Sequence, residues 1–275
     1  MTSSPQPDAH ALVSAPTPKA RRRILGASFI GTAIEWYDFF IYGAAATLIF
    51  APQFFPTENP LAGTLAAFAT FAVGFLARPI GGIVMGHYGD TVGRKAMLLI
   101  SMLMMGGATV GIGLLPNYAS IGVWAPILLV TFRFVQGLGV GGEWGGAVLM
   151  AVEYAPRKKR TLYGAFPQMG LPAGIMVSNV VFIIVTSVLA PEAFSAWGWR
   201  VPFLLSGLLI VVALFLRLKI EETPSFKATK LKNEVQKSPL ARVVKDHGLT
   251  VFLAGAISIA SPAIGYMYSV YILSY

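Results

Sequence analysis

The chain has 275 residues, 55% of them hydrophobic and only 12% charged, with a net charge of +9 and a mean hydropathy of +0.67. A water-soluble surface needs about 25% charged residues, and this composition excludes a soluble domain. With no cysteine, disulfides and thiol chemistry are excluded, and with His10, His87 and His247 scattered a metal site is not expected.

All lysines and arginines except Arg78, Arg133 and Arg200 fall in four clusters: Lys19–Arg23, Arg94–Lys95, Arg157–Arg160 and Arg217–Lys245. Apolar segments lie between the clusters in pairs. That alternation places the clusters on the inner side of a membrane and the N-terminus in the cytoplasm. The positive charge is therefore read as topology, and nucleic acid is not an expected partner. No short apolar stretch ending in small residues stands beside the first cluster, so the first helix is read as retained and not as a signal peptide.

The first predicted helix covers Ile24–Phe50, after a cytoplasmic tail 1–23. The second returns over Leu61–Gly86 and the third covers Ala96–Leu115. The fourth spans Val123–Val152, the fifth Leu162–Leu189 and the sixth about Val201–Leu216. The polar stretch 219–248 is expected as an inner loop, and residues 249–275 as a seventh crossing. All of these spans except the shorter sixth meet the ~20 residues that the bilayer core requires. The fold class is thus an all-α membrane protein: a six-helix bundle over 24–218 and one further helix. That is the first half of a two-bundle transporter plus the start of the second. A missing C-terminal half is expected to be needed for transport. Glu35-Trp36 and Glu143-Trp144 recur at mid-span in the first and fourth helices, as an inverted repeat of three plus three helices predicts.

Five charges lie at bilayer depth: Glu35, Asp38, Arg78, Arg133 and Glu143. Each costs about 2.5–3.5 kcal/mol to insert, so each should face a cavity or a partner. Glu35 and Asp38, at i and i+3, share a helix face. Asp38 and Arg133 lie at matching depth on corresponding helices, which invites pairing. Arg78 either faces the pathway or snorkels to headgroups, and Glu143 has no evident partner. The glycines of the fourth and fifth helices, from Gly137 to Gly174, are read as close-packing positions.

The segment Gly86-His87-Tyr88-Gly89-Asp90-Thr91-Val92-Gly93-Arg94-Lys95 resembles the major facilitator superfamily motif G-x-x-x-D-[RK]-x-G-R-[RK], with Thr91 where a base is usual. Independently of that, Asp90 can cap a helix N-terminus and Arg94 can pair with it. Arg133-Phe134-Val135-Gln136-Gly137-Leu138-Gly139-Val140-Gly141 is similar to the superfamily's R-x-x-x-G-x-G-x-G motif. Glu153 and Arg160 follow as in its sugar–proton symporters, and Glu221–Ser225 resembles their P-E-S-P-R position. Leu171-Pro172 stands where antiporters carry Gly-Pro, which favours symport. Ile34–Phe40, Arg78-Pro79, Gly86-His87 and Gly142-Glu143 together resemble the metabolite:proton symporter family, whose members carry proline and betaine, shikimate, α-ketoglutarate or citrate.

The resemblance implies a secondary transporter of the bacterial inner membrane, driven by the proton gradient without a cofactor, that takes up a small organic acid or zwitterion. It implies Asp38 as proton carrier, with Glu35 as runner-up and Arg133 tuning it. Tyr37, Arg78, Arg133, Gln136, Glu143 and Trp144 would line the substrate pathway. Gly86, Asp90, Gly93, Arg94, Lys95, Glu153 and Arg160 would form the cytoplasmic gate. An exporter of the same fold and a transporter-like sensor are the alternatives. An enzyme would need a grouped nucleophile and base or metal ligands, and none is grouped here.

Overall fold

A computed structural model describes residues 17–219 and 246–257. Six long helices make up the first part: α1 (Pro18–Ala45), α2 (Pro60–Thr91), α3 (Arg94–Leu114), α4 (Trp124–Glu153), α5 (Arg160–Val188) and α6 (Arg200–Leu218). All six are long and apolar enough to cross a membrane. A separate unit contains the apolar helix Asp246–Ile257. The rest of the expected seventh crossing, and most of the expected inner loop, lie outside the described residues.

Local chemistry sets the helix ends. The Asn59 side chain accepts a hydrogen bond from the Leu61 amide at 3.0 Å, and Pro60 takes the first helical position of α2. Two helices depart from the sequence expectation by more than two residues. First, α1 begins at Pro18, so Lys19–Arg23 form its opening turns and not a tail; it then continues as a π-helical turn, Ala46–Phe50, into Ala51–Phe54. Second, α2 runs past Gly86 as far as Thr91. Nothing between these residues breaks a helix, and the Thr91 hydroxyl donates back to the His87 carbonyl at 3.1 Å. The break comes at Gly93, whose φ of 129° is a conformation open to glycine.

The closest packed pairs are α1 with α5, α2 with α4, and α3 with both α4 and α6. Exchanging the first three helices for the last three turns the α1–α5 pair into α4–α2, as an inverted repeat requires. Missing side chains allow these approaches. A Cβ on Gly141 of α4 would lie 2.0 Å from the Arg78 carbonyl oxygen of α2, and one on Gly174 of α5 would lie 2.4 Å from that of Ala33 on α1.

At one end of the bundle Tyr42, Phe50, Phe54, Trp199 and Phe203 form a buried aromatic core. Gln53 donates to the Ser195 carbonyl at 2.6 Å, and Arg200 to that of Leu115 at 2.9 Å, so the connections after α1, α3 and α5 share this end. At the other end Arg94 meets Glu153, and Lys95 Nζ donates to the Leu218 carbonyl at 2.9 Å. Large apolar side chains such as Leu76, Met176, Ile183, Val211 and Phe215 point outward, as the faces of a membrane bundle must.

Candidate transport site

Between α1, α2 and α4 a recess is lined by Glu35, Phe39, Phe75, Arg78, Arg133 and Gln136, with Gly74, Gly137 and Val140. Arg133 is buried with its guanidinium 3.9 Å from the Tyr42 ring centre and 4.7 Å from that of Phe71. Gly74 makes room for it, since a Cβ there would meet Arg133 Nε at 2.8 Å. The half-buried Arg78 turns inward, 4.8 Å from the Phe75 ring centre and 5.4 Å from that of Phe39. Arg78 thus lines this recess. The pull of the aromatic faces on a guanidinium accounts for it.

Asp38 sits in a different place. It is buried, accepts a hydrogen bond from Thr109 Oγ1 of α3 at Oδ2 (2.8 Å), and accepts one from Ser206 Oγ of α6 at Oδ1. Gln136 Nε2 donates to Thr109 Oγ1 at 2.8 Å, and Arg133 Nη1 donates to Gln136 Oε1. The expected direct Asp38–Arg133 ion pair is therefore not formed; two neutral side chains link the two groups in series. The shared face of Glu35 and Asp38 also divides. Positions i and i+3 lie about 60° apart around a helix, and the bundle sets α2 and α4 against one and α3 and α6 against the other. Glu35 is buried in the recess with Oε2 unpartnered. The Tyr37 hydroxyl donates to the Pro202 carbonyl at 2.8 Å, so this buried side chain ties α1 to α6 and does not line the recess.

Glu143 has a partner that the sequence reading missed. It is fully buried and accepts from Arg217 Nη2, while Arg217 Nη1 donates to the Leu98 carbonyl of α3 at 3.0 Å. By sequence Arg217 belongs with the inner basic stretch, yet only 5% of it is exposed. Its place between Leu216 and Leu218, inside an apolar run, was the available signal. Gly31 of α1 leaves the room, since a Cβ there would lie 2.2 Å from Arg217 Nη2 and 2.7 Å from Glu143 Oε1. Of Trp144 only the backbone, within α4, is described.

Among the expected gate residues, Arg94 lies 3.8 Å from Asp90 and pairs with Glu153 across to the end of α4. Asp90 is in the last turn of α2 and does not cap α3, whose N-cap is Gly93. The continuation of α2 through this motif displaces it from that role. A recess lined by Gly86, Gly89, Asp90 and Arg94, together with Gly141, Gly142, Gly145 and Gly146 of α4, opens beside the pair. Arg160 is exposed at the start of α5, outside the Arg94–Glu153 pair.

Six membrane-length helices in repeat-related packing, with ionisable groups buried at their centre, define one bundle of a major-facilitator carrier fold. Residues 24–254 match the family described as "Sugar (and other) transporter". The chain belongs to this family of membrane transporters, which are not enzymes. It is 49% identical over 257 residues to the inner membrane metabolite transport protein YhjE of Escherichia coli, covering 93% of this chain and 58% of that one. It is 50% identical over 209 residues to the shikimate transporter of E. coli, covering 76% and 48%. Its fold matches the major facilitator superfamily proton:xylose symporter XylE of E. coli with a TM-score of 0.68 at 18% identity, covering 86% of this chain and 56% of that chain. The chain spans about half the length of the curated relatives it matches.

Proposed function

We propose that this chain forms the first bundle of a proton-coupled uptake carrier for a small organic acid or zwitterion. It works by alternating access in a bacterial inner membrane, with the N-terminus inside and the proton gradient as driving force. The observation that carries the reading is the seat of Asp38. Thr109 has one hydroxyl hydrogen and two acceptors in reach, Asp38 Oδ2 at 2.8 Å and the Met105 carbonyl at 3.0 Å. An ionised Asp38 takes that hydrogen. A protonated Asp38 releases it to Met105, and no buried polar group is left orphaned.

Burial favours the protonated form of a carboxyl group and a guanidinium opposes it. Arg133 acts on Asp38 from the far side of Gln136 and Thr109. A movement of α1 against α3 and α6 changes both influences and links proton binding to the transport cycle. Arg94 with Asp90 and Glu153 closes the inner end in one state and parts in the other, as the two bundles rock about the central site.

The test uses a completed carrier, this chain followed by the second half of its relative YhjE, in proteoliposomes. Asp38→Asn should abolish accumulation driven by a proton gradient and leave counterflow of substrate intact. Undiminished, protonophore-sensitive accumulation by the variant would remove Asp38 from the role and pass it to Glu35.

A further inference from the structure

The recess between α1, α2 and α4 carries two guanidiniums and one carboxyl group, and that ratio bears on what it can hold. Arg133 is buried with Nε unpartnered, and Glu35 is buried with Oε2 unpartnered. Arg78 makes no hydrogen bond among the described residues and is held by rings alone. Phe39 fixes both cations, with Arg78 5.4 Å and Arg133 5.8 Å from its centre. These donors are held in place by stacking, which leaves N–H groups free for an acceptor.

We propose that this recess is a carboxylate subsite selective for organic anions over zwitterions, with Arg78 and Arg133 as the donors and Glu35 limiting how much negative charge enters. The proposal rests on the transport reading above and names its substrate class. Charge balance gives the first reason. With both arginines cationic, the recess carries net positive charge whether Glu35 is ionised or protonated, and a carboxylate offsets it. A zwitterion would leave that charge unbalanced, at a cost that rises in a low-dielectric site. The second reason is the aromatic wall. A quaternary ammonium group is recognised by open ring faces, but Phe39 and Phe75, the rings lining this recess, are already engaged by the arginines. Glu35 adds a further limit. Ionised, it repels a second carboxylate on the ligand, and without that charge a dicarboxylate is the better match.

The test measures ligand protection of the purified 275-residue chain against thermal unfolding in detergent. The probes are shikimate as a monocarboxylate, its methyl ester as the neutral control, glycine betaine as a zwitterion and α-ketoglutarate as a dicarboxylate. Shikimate should protect, and the ester and betaine should not. Arg78→Gln should weaken shikimate by about tenfold or more, the usual effect of losing a charged hydrogen-bond donor, and Arg78→Lys should recover part of the loss. Glu35→Gln should shift preference from shikimate toward α-ketoglutarate, an effect that a merely structural Glu35 would not produce. Equal protection by the ester or betaine would overturn the proposal, as would no protection by either anion or an unchanged preference in Glu35→Gln. These readouts involve no proton gradient. Their failure is therefore separate from that of the Asp38 experiment, which can fail while anion selectivity stands.

Discussion

Glu143 and Arg217 show how a single buried pair constrains the bundle. Arg217 joins α6 to the Leu98 carbonyl of α3 as well as to Glu143 of α4, and α1 passes beside the pair only because residue 31 is glycine. Removing one partner leaves an uncompensated charge in an apolar interior, at a cost of roughly 3–5 kcal/mol. Arg217→Met should therefore lower the unfolding midpoint of the chain in detergent sharply, and adding Glu143→Gln should restore much of the loss. If the double variant is as unstable as the single one, the pair is not what Arg217 supplies. At this scale the sequence disclosed charges and not partners. Glu143 stands out as an acid in an apolar helix, whereas Arg217, though inside an apolar run, stands two residues before Lys219 and reads as one more base of the inner cluster. Thr109 and Ser206 are likewise ordinary in a transmembrane helix, and only the fold brings them to Asp38.

Helices were the most legible level, because a bilayer demands long apolar runs and the bases between them mark the turns. Ends were less so. The glycine-rich motif reads as a loop from Gly86 onward, yet helical hydrogen bonding continues until the chain needs the positive φ of Gly93. The glycines of α4 divide along the same line between seam and open face. A Cβ on Gly141 would lie 2.0 Å from the Arg78 carbonyl oxygen, whereas one on Gly145 meets nothing within 4 Å. Gly141→Ala must push α2 away and should cost about 1–3 kcal/mol, the range for overpacking a tight contact. Gly145→Ala should be neutral or slightly stabilising, since alanine is the better helix former. Thermal unfolding of the two variants side by side distinguishes a packing seam from a general intolerance of α4. Equal losses would argue against the seam.

The whole bundle has a consistent polarity. The connections after α1, α3 and α5 meet at the aromatic end, and those after α2 and α4 lie with the C-terminal end of α6 at the end with Arg94 and Glu153. Given the basic clusters at the second end, reporters fused at Thr57 and Glu192 should read external and at Lys159 internal. An internal reading at Glu192 would reverse the arrangement of the last two helices.

The last prediction concerns what one bundle can do. Alternating access needs two bodies that rock about a shared site. Among the described residues, α1, α2 and α4 wall the recess holding Glu35, Arg78 and Arg133. The chain also spans 58% of YhjE, leaving that relative a further stretch with no counterpart here. A single wall can bind an anion, but it cannot seal either side of the membrane in turn. The 275-residue chain reconstituted alone should therefore show anion binding without accumulation under an imposed proton gradient, and the completed carrier should show both. Accumulation by the isolated chain at low protein density, where a second copy is absent from most vesicles, would mean that one bundle suffices and would refute the two-wall mechanism. Accumulation that rises with the square of chain density would instead identify a second copy of this bundle as the missing wall.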